Sequence, residues 1–262
     1  KPENYGKKFY GPSTLRTGIE KSRNLMTVRV AQKVGFEEIS KTSNDFGIYN
    51  NIPELLSVSL GSAETTLLQL TNAYCTFVNG GKKVNPIFID RIQDRRGKTI
   101  FNGDIKKCLG CDEISYLKED LPTIEDNRKQ IISTESAYQV TSMLEGAVRR
   151  GTGRKLRSLN LNLAGKTGTT NDAESTWFTG FNKNILTTVW FGYDQPSTLG
   201  NNEFGSTTAL PIWLDYMEQI INSVDYGIQK RPPGLVAKKI NLDDGQFAES
   251  DDERTMFEFF LD

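Results

Sequence analysis

Two short stretches carry side chains suited to acyl or proton transfer. In Leu163-Ala164-Gly165-Lys166-Thr167-Gly168-Thr169-Thr170, a lysine sits among glycines and threonines inside a strand pattern. Glycine weakens a strand and often marks a place where another backbone approaches closely. Lys166 would then project from a surface that an extended peptide joins by strand addition, with the Thr167 and Thr169 hydroxyls as donors for a carboxylate. The same pattern fits an exposed edge strand guarded by its lysine, and the residues alone leave both readings open. A phosphate loop does not fit. It needs a glycine separated from the Gly-Lys-Thr unit by four residues and a helix directly after that unit, whereas strand patterns flank this one. The second stretch is Ser22-Arg23-Asn24. By itself it is an ordinary helix junction with Ser and Asn as caps, and its meaning depends on pairing with the lysine strand.

The chain has 262 residues, three cysteines and no histidine. Without imidazole, Ser-His-Asp and Cys-His hydrolysis and His-based zinc sites are excluded, so a nucleophile would need a lysine or carboxylate as its base. The 32 basic and 33 acidic side chains leave a net charge of −1, which gives no case for a nucleic-acid or membrane-surface partner. Cys108-Leu109-Gly110-Cys111 could be half a zinc site, a redox pair or an oxidised staple. The missing imidazole argues against the first, and Gly110 with its acidic followers against the second. A stapled pair in an oxidising compartment is the preferred reading, and no metal or cofactor is expected. Cys75 is read as packing on its helix, and Trp177, Trp190 and Trp213 as core.

These residues need elements to position them. Gly11-Pro12 opens a helical stretch, and Leu25, Val28, Ala31 and Val34 continue one until Gly35. Leu67, Leu70, Tyr74, Phe77 and Val78 share a face of a helix over about 64–78. A hairpin joins 87–92 to 98–101 around Asp94-Arg95-Arg96-Gly97. Helix returns over about 134–150. Three strands follow at 161–169, 175–181 and 185–193, the last two joined by Asn182-Lys183-Asn184. A final helix covers about 208–222. Helices, consecutive antiparallel strands and another helix make an α+β fold. Residues 1–101 and 131–225 are read as one domain, 102–130 as a charged insertion carrying the cysteine pair, and 226–262 as a mobile acidic tail. The first residue is Lys1, with no leader after it, so the chain is read as starting inside a longer protein.

Ser-x-Asn followed by Lys-Thr-Gly-Thr resembles the second and third motifs of the penicillin-binding proteins. The likeness is wider than those residues. Tyr10-Gly11-Pro12…Leu15-Arg16…Lys21-Ser22-Arg23-Asn24 and Leu60 to Gly81 are similar to class A (bifunctional) members. So are Arg150-Gly151-Thr152-Gly153, Trp177 to Phe181 and Val189 to Asp194. The cysteine pair resembles one in the insertion of some alphaproteobacterial 1A-type members. One motif departs from the pattern. The family's Ser-x-x-Lys, which supplies the nucleophile, precedes Ser-x-Asn, yet here the sole match is Ser115-Tyr116-Leu117-Lys118, downstream and among acidic residues.

The resemblance implies the transpeptidase fold shared with serine β-lactamases, an antiparallel sheet flanked by helices, incomplete at its N-terminus. It implies D,D-transpeptidation of peptidoglycan, with Ser22 and Lys166 in proton transfer. Asn24, Thr167, Gly168 and Thr169 would bind the D-Ala-D-Ala stem peptide, with β-lactams as inhibitors. The location implied is the periplasmic face of the bacterial inner membrane, among cell-wall synthesis proteins. Lacking its nucleophile, the chain by itself is expected to be inactive. The alternatives are a non-catalytic fragment and a β-lactamase-related hydrolase.

Overall fold

The computed structural model describes residues 3–49, 51–103, 107–109, 123–220, 227, 229–249 and 252–262. Helix α1 (Leu15–Glu20) begins where Thr14 accepts the Thr17 N–H, three residues beyond the predicted Gly11-Pro12 start. Helix α2 (Asn24–Val34) ends at Gly35, whose φ of 92° is a conformation that favours glycine. The expectation that helix stops there is only half met. Gly35 redirects the chain, and α3 (Phe36–Phe46) starts at once with Glu37 and Glu38 in its first turn. Helix α4 (Leu67–Val78) opens with a capping box in which the Thr66 and Gln69 side chains each take the other's backbone N–H. Helix α5 (Thr134–Arg149) is capped by Ser133.

The first hairpin pairs β1 (Arg91–Gln93) with β2 (Thr99–Asn102), shorter than the apolar run predicts. Inside the segment read as a charged insertion, β3 (Lys107–Leu109) pairs with β4 (Thr123–Glu125) and sets Cys108 opposite Ile124. Cys111, the Cys108 side chain and Ser115-x-x-Lys118 lie outside the described residues, so the expected staple is not addressed there.

The sheet that carries the lysine motif has the order β5 (Ala164–Thr169), β6 (Ser175–Phe181), β7 (Leu186–Gly192), all antiparallel. The β6–β7 turn is the predicted one: the Asn182 side-chain oxygen accepts the N–H groups of Asn184 and Ile185, both at 2.8 Å. Strand alternation sends Phe178 to one face, against Leu210, Trp213 and Met217 of α6 (Ala209–Ile220). Ala164, Phe181 and Leu186 go to the other face, with Leu144 of α5 and Tyr74 and Val78 of α4. Gly180 is required by this packing, because a Cβ there would meet the Trp213 ring at 2.6 Å. Of the three tryptophans read as core, Trp213 is fully buried, Trp177 is half-buried and Trp190 is exposed. Trp190 pairs with Trp177 across β6 and β7, the two rings tilted against each other.

The expected mobile acidic tail is corrected. Residues 235–241 (β8, Leu235–Asn241) and 255–261 (β9, Thr255–Leu261) pair over seven positions as an antiparallel hairpin. Apart from Glu258 and Asp262, its described acidic residues lie in the connecting loop, where Asp252 accepts from Asn241 and from the Glu249 backbone. Charge in the turn therefore disguises a strand pair whose Val236, Ile240, Met256 and Phe260 supply β-forming side chains.

Candidate active site

The α1–α2 junction is a tight reversal. Ser22 N–H donates to Ile19 and Arg23 N–H to Gly18, and Ser22 adopts φ 51°, a left-handed conformation rare for a residue with a Cβ. Such strain persists where surrounding contacts over-determine it. Arg23 makes one of them, lying over the Tyr10 ring at 3.5 Å. The reversal leaves the Ser22 hydroxyl exposed beside β5, where Lys166 Nζ donates to Ser22 Oγ at 2.7 Å across 144 residues of sequence. Lys166 also donates to the Thr167 carbonyl at 2.9 Å. The residue as a whole is half-buried, but burial of its ammonium pushes the pKa down from 10.5 to about 8.

Strand β5 is the edge of its sheet, and its ladder sets which groups face outward. Thr170 N–H donates to the Ser175 carbonyl. By the antiparallel alternation, the Thr169 N–H and Thr167 C=O point away from β6, into the open edge. The Thr169 hydroxyl accepts the Gly205 N–H at 3.0 Å, which leaves its own hydrogen for an incoming acceptor. Gly205 crosses β5 so closely that a Cβ there would stand 2.6 Å from the Gly168 carbonyl oxygen. Gly168 itself faces Trp177, whose Cβ would be 3.1 Å from an added side chain.

Ser22, Lys166, Thr167, Gly168 and Thr169 thus converge on one cleft edge. Asn24 starts α2 beside it, but its amide nitrogen donates to the Glu3 carbonyl at 2.9 Å, and no bond joins it to Lys166 or Ser22. The N-terminal segment holds it, since Asn4 also accepts the Leu25 N–H.

Residues that the motifs alone did not assign complete the arrangement. Thr167 Oγ1 donates to Thr152 Oγ1 at 2.8 Å, and Thr152 N–H donates to the Glu20 carbonyl at 3.2 Å. The Glu20 carboxylate takes Arg150 Nη2 at 2.5 Å, and Lys21 donates to the Arg150 carbonyl. Gly151 makes this approach possible, as a Cβ would overlap the Glu20 carbonyl. The available signal was Arg150-Gly151-Thr152-Gly153: two glycines straight after a helix, with a hydroxyl between them.

The chain has extensive similarity to proteins of one kind. A profile of the penicillin binding protein transpeptidase domain matches residues 2–218. Penicillin-binding protein 1A of Rickettsia conorii is 46% identical over 220 residues, covering 83% of this chain and 28% of that protein. Penicillin-binding protein 1A of Pseudomonas aeruginosa is 34% identical over 291 residues, covering 99% of this chain and 35% of that protein. The chain therefore spans roughly a third or less of the length of these relatives. The crystal structure of penicillin-binding protein 1A from Haemophilus influenzae superposes with a TM-score of 0.85 at 30% identity, covering 99% of this chain and 41% of that one. A penicillin G acyl-enzyme complex of penicillin-binding protein A from Mycobacterium tuberculosis, at 18% identity and a TM-score of 0.59, shares the fold. Sequence, fold and the meeting of Ser22 with the lysine strand agree, and the chain belongs to the penicillin-binding protein transpeptidase family.

Proposed function

We propose that this chain forms the Ser-x-Asn and Lys-Thr-Gly walls of a D,D-transpeptidase site that cross-links peptidoglycan stem peptides. The observation that carries the reading is the Lys166 ammonium donating to Ser22 Oγ at 2.7 Å. The nucleophilic serine belongs to a Ser-x-x-Lys motif outside this sequence, and the chain by itself is inactive. In the complete protein that serine's oxygen attacks the penultimate D-Ala carbonyl carbon, and the bond to the terminal D-Ala nitrogen breaks. The leaving amine takes the Ser22 hydroxyl proton, and Lys166 reprotonates Ser22 from its ammonium. The serine's own proton goes to the lysine of the absent motif. A second stem-peptide amine then attacks the ester carbonyl, its proton passing through Ser22 to the neutral Lys166, and the ester C–O bond breaks as the serine takes its proton back from the lysine of the absent motif.

Lys166 suits this task because its pKa of about 8 keeps it mostly protonated at neutral pH while making it a better acid than an ordinary lysine. Thr167 would turn its hydroxyl hydrogen from Thr152 to the terminal carboxylate and accept Thr152's in its place, while Thr169 and the ammonium hold the same carboxylate. The outward Thr169 N–H would serve as one oxyanion donor, a role typically worth about 10²–10³ in rate. Asn24 has a second amide hydrogen for the substrate carbonyl beyond the one given to Glu3. β-Lactams would acylate the same serine. The site would work at the periplasmic face of the inner membrane, beside other cell-wall synthesis proteins. No helix among the described residues is long and apolar enough to cross a membrane.

Covalent labelling of the full-length protein by a reporter penicillin tests this. Stoichiometric labelling that Lys166→Ala slows sharply is expected. A folded wild-type protein that takes no label overturns it, and rapid turnover of the labelled adduct identifies a hydrolase instead.

A further inference from the structure

We propose that Glu258, in the C-terminal hairpin beyond the family match, is a positioning residue for the Ser22–Lys166 pair. It acts through Arg16 and Glu20, and the inference rests on the transpeptidase reading above. The matched domain ends at residue 218, yet β9 reaches back to α1. Glu258 Oε2 accepts from Arg16 Nε and Oε1 from Arg16 Nη2, each at 2.5 Å, a two-pronged contact with a guanidinium only 2% exposed. Arg16 also donates to the Ser142 carbonyl and hydroxyl on α5, at 2.8 and 2.9 Å. The hairpin is seated on the same two helices elsewhere. Gln139 donates to the Phe259 carbonyl, Tyr138 meets the Phe259 ring edge-on, and Gly245 packs beside Thr14, the cap of α1.

Four charges lie closest together here, and the half-buried Glu145 of α5 acts on Arg16 from further off. Arg16 and Arg150 are balanced by Glu20 and Glu258, with Glu20 bonded tightly to Arg150 at 2.5 Å and standing 3.5 Å from Arg16. Neutralising Glu258 leaves Arg16 buried with Glu20 as its nearest carboxylate. A buried charge without its partner is strongly unfavourable, so Glu20 is drawn towards Arg16 and away from Arg150. Glu20 stands two residues before the strained Ser22, and its carbonyl holds the Thr152 N–H, while Thr152 holds Thr167. One displacement therefore reaches both walls of the cleft: Ser22 along α1, and the carboxylate-binding threonine through Thr152.

The test uses the full-length protein with Glu258→Gln, and Arg254→Gln as control, because Arg254 pairs with Asp243 in an exposed contact within the same hairpin. Hydrogen exchange at the Ser22 and Arg23 amides is expected to quicken roughly tenfold or more in Glu258→Gln, with β5–β7 amides within about twofold of wild type. The penicillin acylation rate constant at saturation is expected to fall about ten- to hundredfold, at full labelling stoichiometry and little-changed half-saturation. Arg254→Gln should move neither. Junction amides that exchange as in wild type overturn the proposal. So does a loss of labelled fraction with an unchanged rate constant, the mark of a merely structural residue. If wild type takes no label, the transpeptidase reading fails while the exchange arm still decides this one. Should Glu258→Gln not fold, Glu258→Asp, which keeps the charge but shortens its reach, is read by the same criteria.

Discussion

Lys166 and Ser22 face each other across a single hydrogen bond but stand on differently built walls. Lys166 belongs to β5, where each residue is in register with β6 and the sheet is backed by fully buried Phe178, Leu210 and Trp213. Ser22 belongs to a reversal between two helices, in a left-handed conformation, with an exposed hydroxyl and no strand partner. Its support comes from charge: Arg16, Glu20, Arg150 and Glu258, together with the close pass of Gly151. Dispersion and ladder bonds distribute over many atoms, so the strand wall tolerates the loss of one contact. The junction wall depends on a few directional bonds to buried ions, and each loss propagates.

Removing the bond between the walls should have the largest effect. In the full-length protein, Lys166→Ala is expected to slow penicillin acylation about 10²–10⁴-fold while leaving the thermal transition nearly in place. Acylation kinetics and calorimetry on the same preparation check both halves. An attack on the strand wall should do the opposite. Trp213→Ala removes the buried ring against Gly180 and is expected to cost about 3–5 kcal/mol of stability, read by denaturant unfolding. Molecules that remain folded should acylate at the wild-type rate constant.

A smaller effect is expected where the walls touch through hydroxyls. Thr152→Val leaves Thr167 without its partner and should weaken half-saturation by benzylpenicillin by about 1 kcal/mol, near fivefold. Thr152→Ser should restore it, and the penicillin methyl ester, lacking the carboxylate, should not distinguish the variants. Smallest of all is Thr66→Ala, remote from both walls. Loss of its capping box should cost about 1 kcal/mol of stability with no change in acylation.

The strand wall was largely legible in the amino-acid sequence, because period-two patterning, the Asn182-Lys183-Asn184 turn and the Lys-Thr-Gly-Thr motif all describe local structure. The junction wall was legible only as a motif. Nothing in Ser22-Arg23-Asn24 announces a left-handed serine, and Arg16 and Glu258 lie 242 residues apart without a local signal of their contact. Buried ion pairs resemble surface charges in a sequence, which is also why the hairpin of β8 and β9 was read as an acidic tail. Helix α3 was missed for another reason. Gly35 ends one helix correctly, and its role in redirecting the chain into the next depends on a φ of 92° that composition does not reveal. Thr152 appeared within a resembling stretch, but only the fold sets its hydroxyl beside Thr167.

If the Lys166 ammonium is the proton source behind Ser22, acylation must follow its protonation state as the pH changes. Burial lowers the Lys166 pKa to about 8, so the proton is held below that pH and lost above it. In the full-length protein the acylation rate constant should therefore decline as pH rises through about 8. In Lys166→Arg, which stays protonated, that decline should disappear from the range of roughly pH 7 to 9.5. A wild-type rate constant that is flat across this range, or the same decline retained in Lys166→Arg, would show that the Lys166 ammonium is not the proton source.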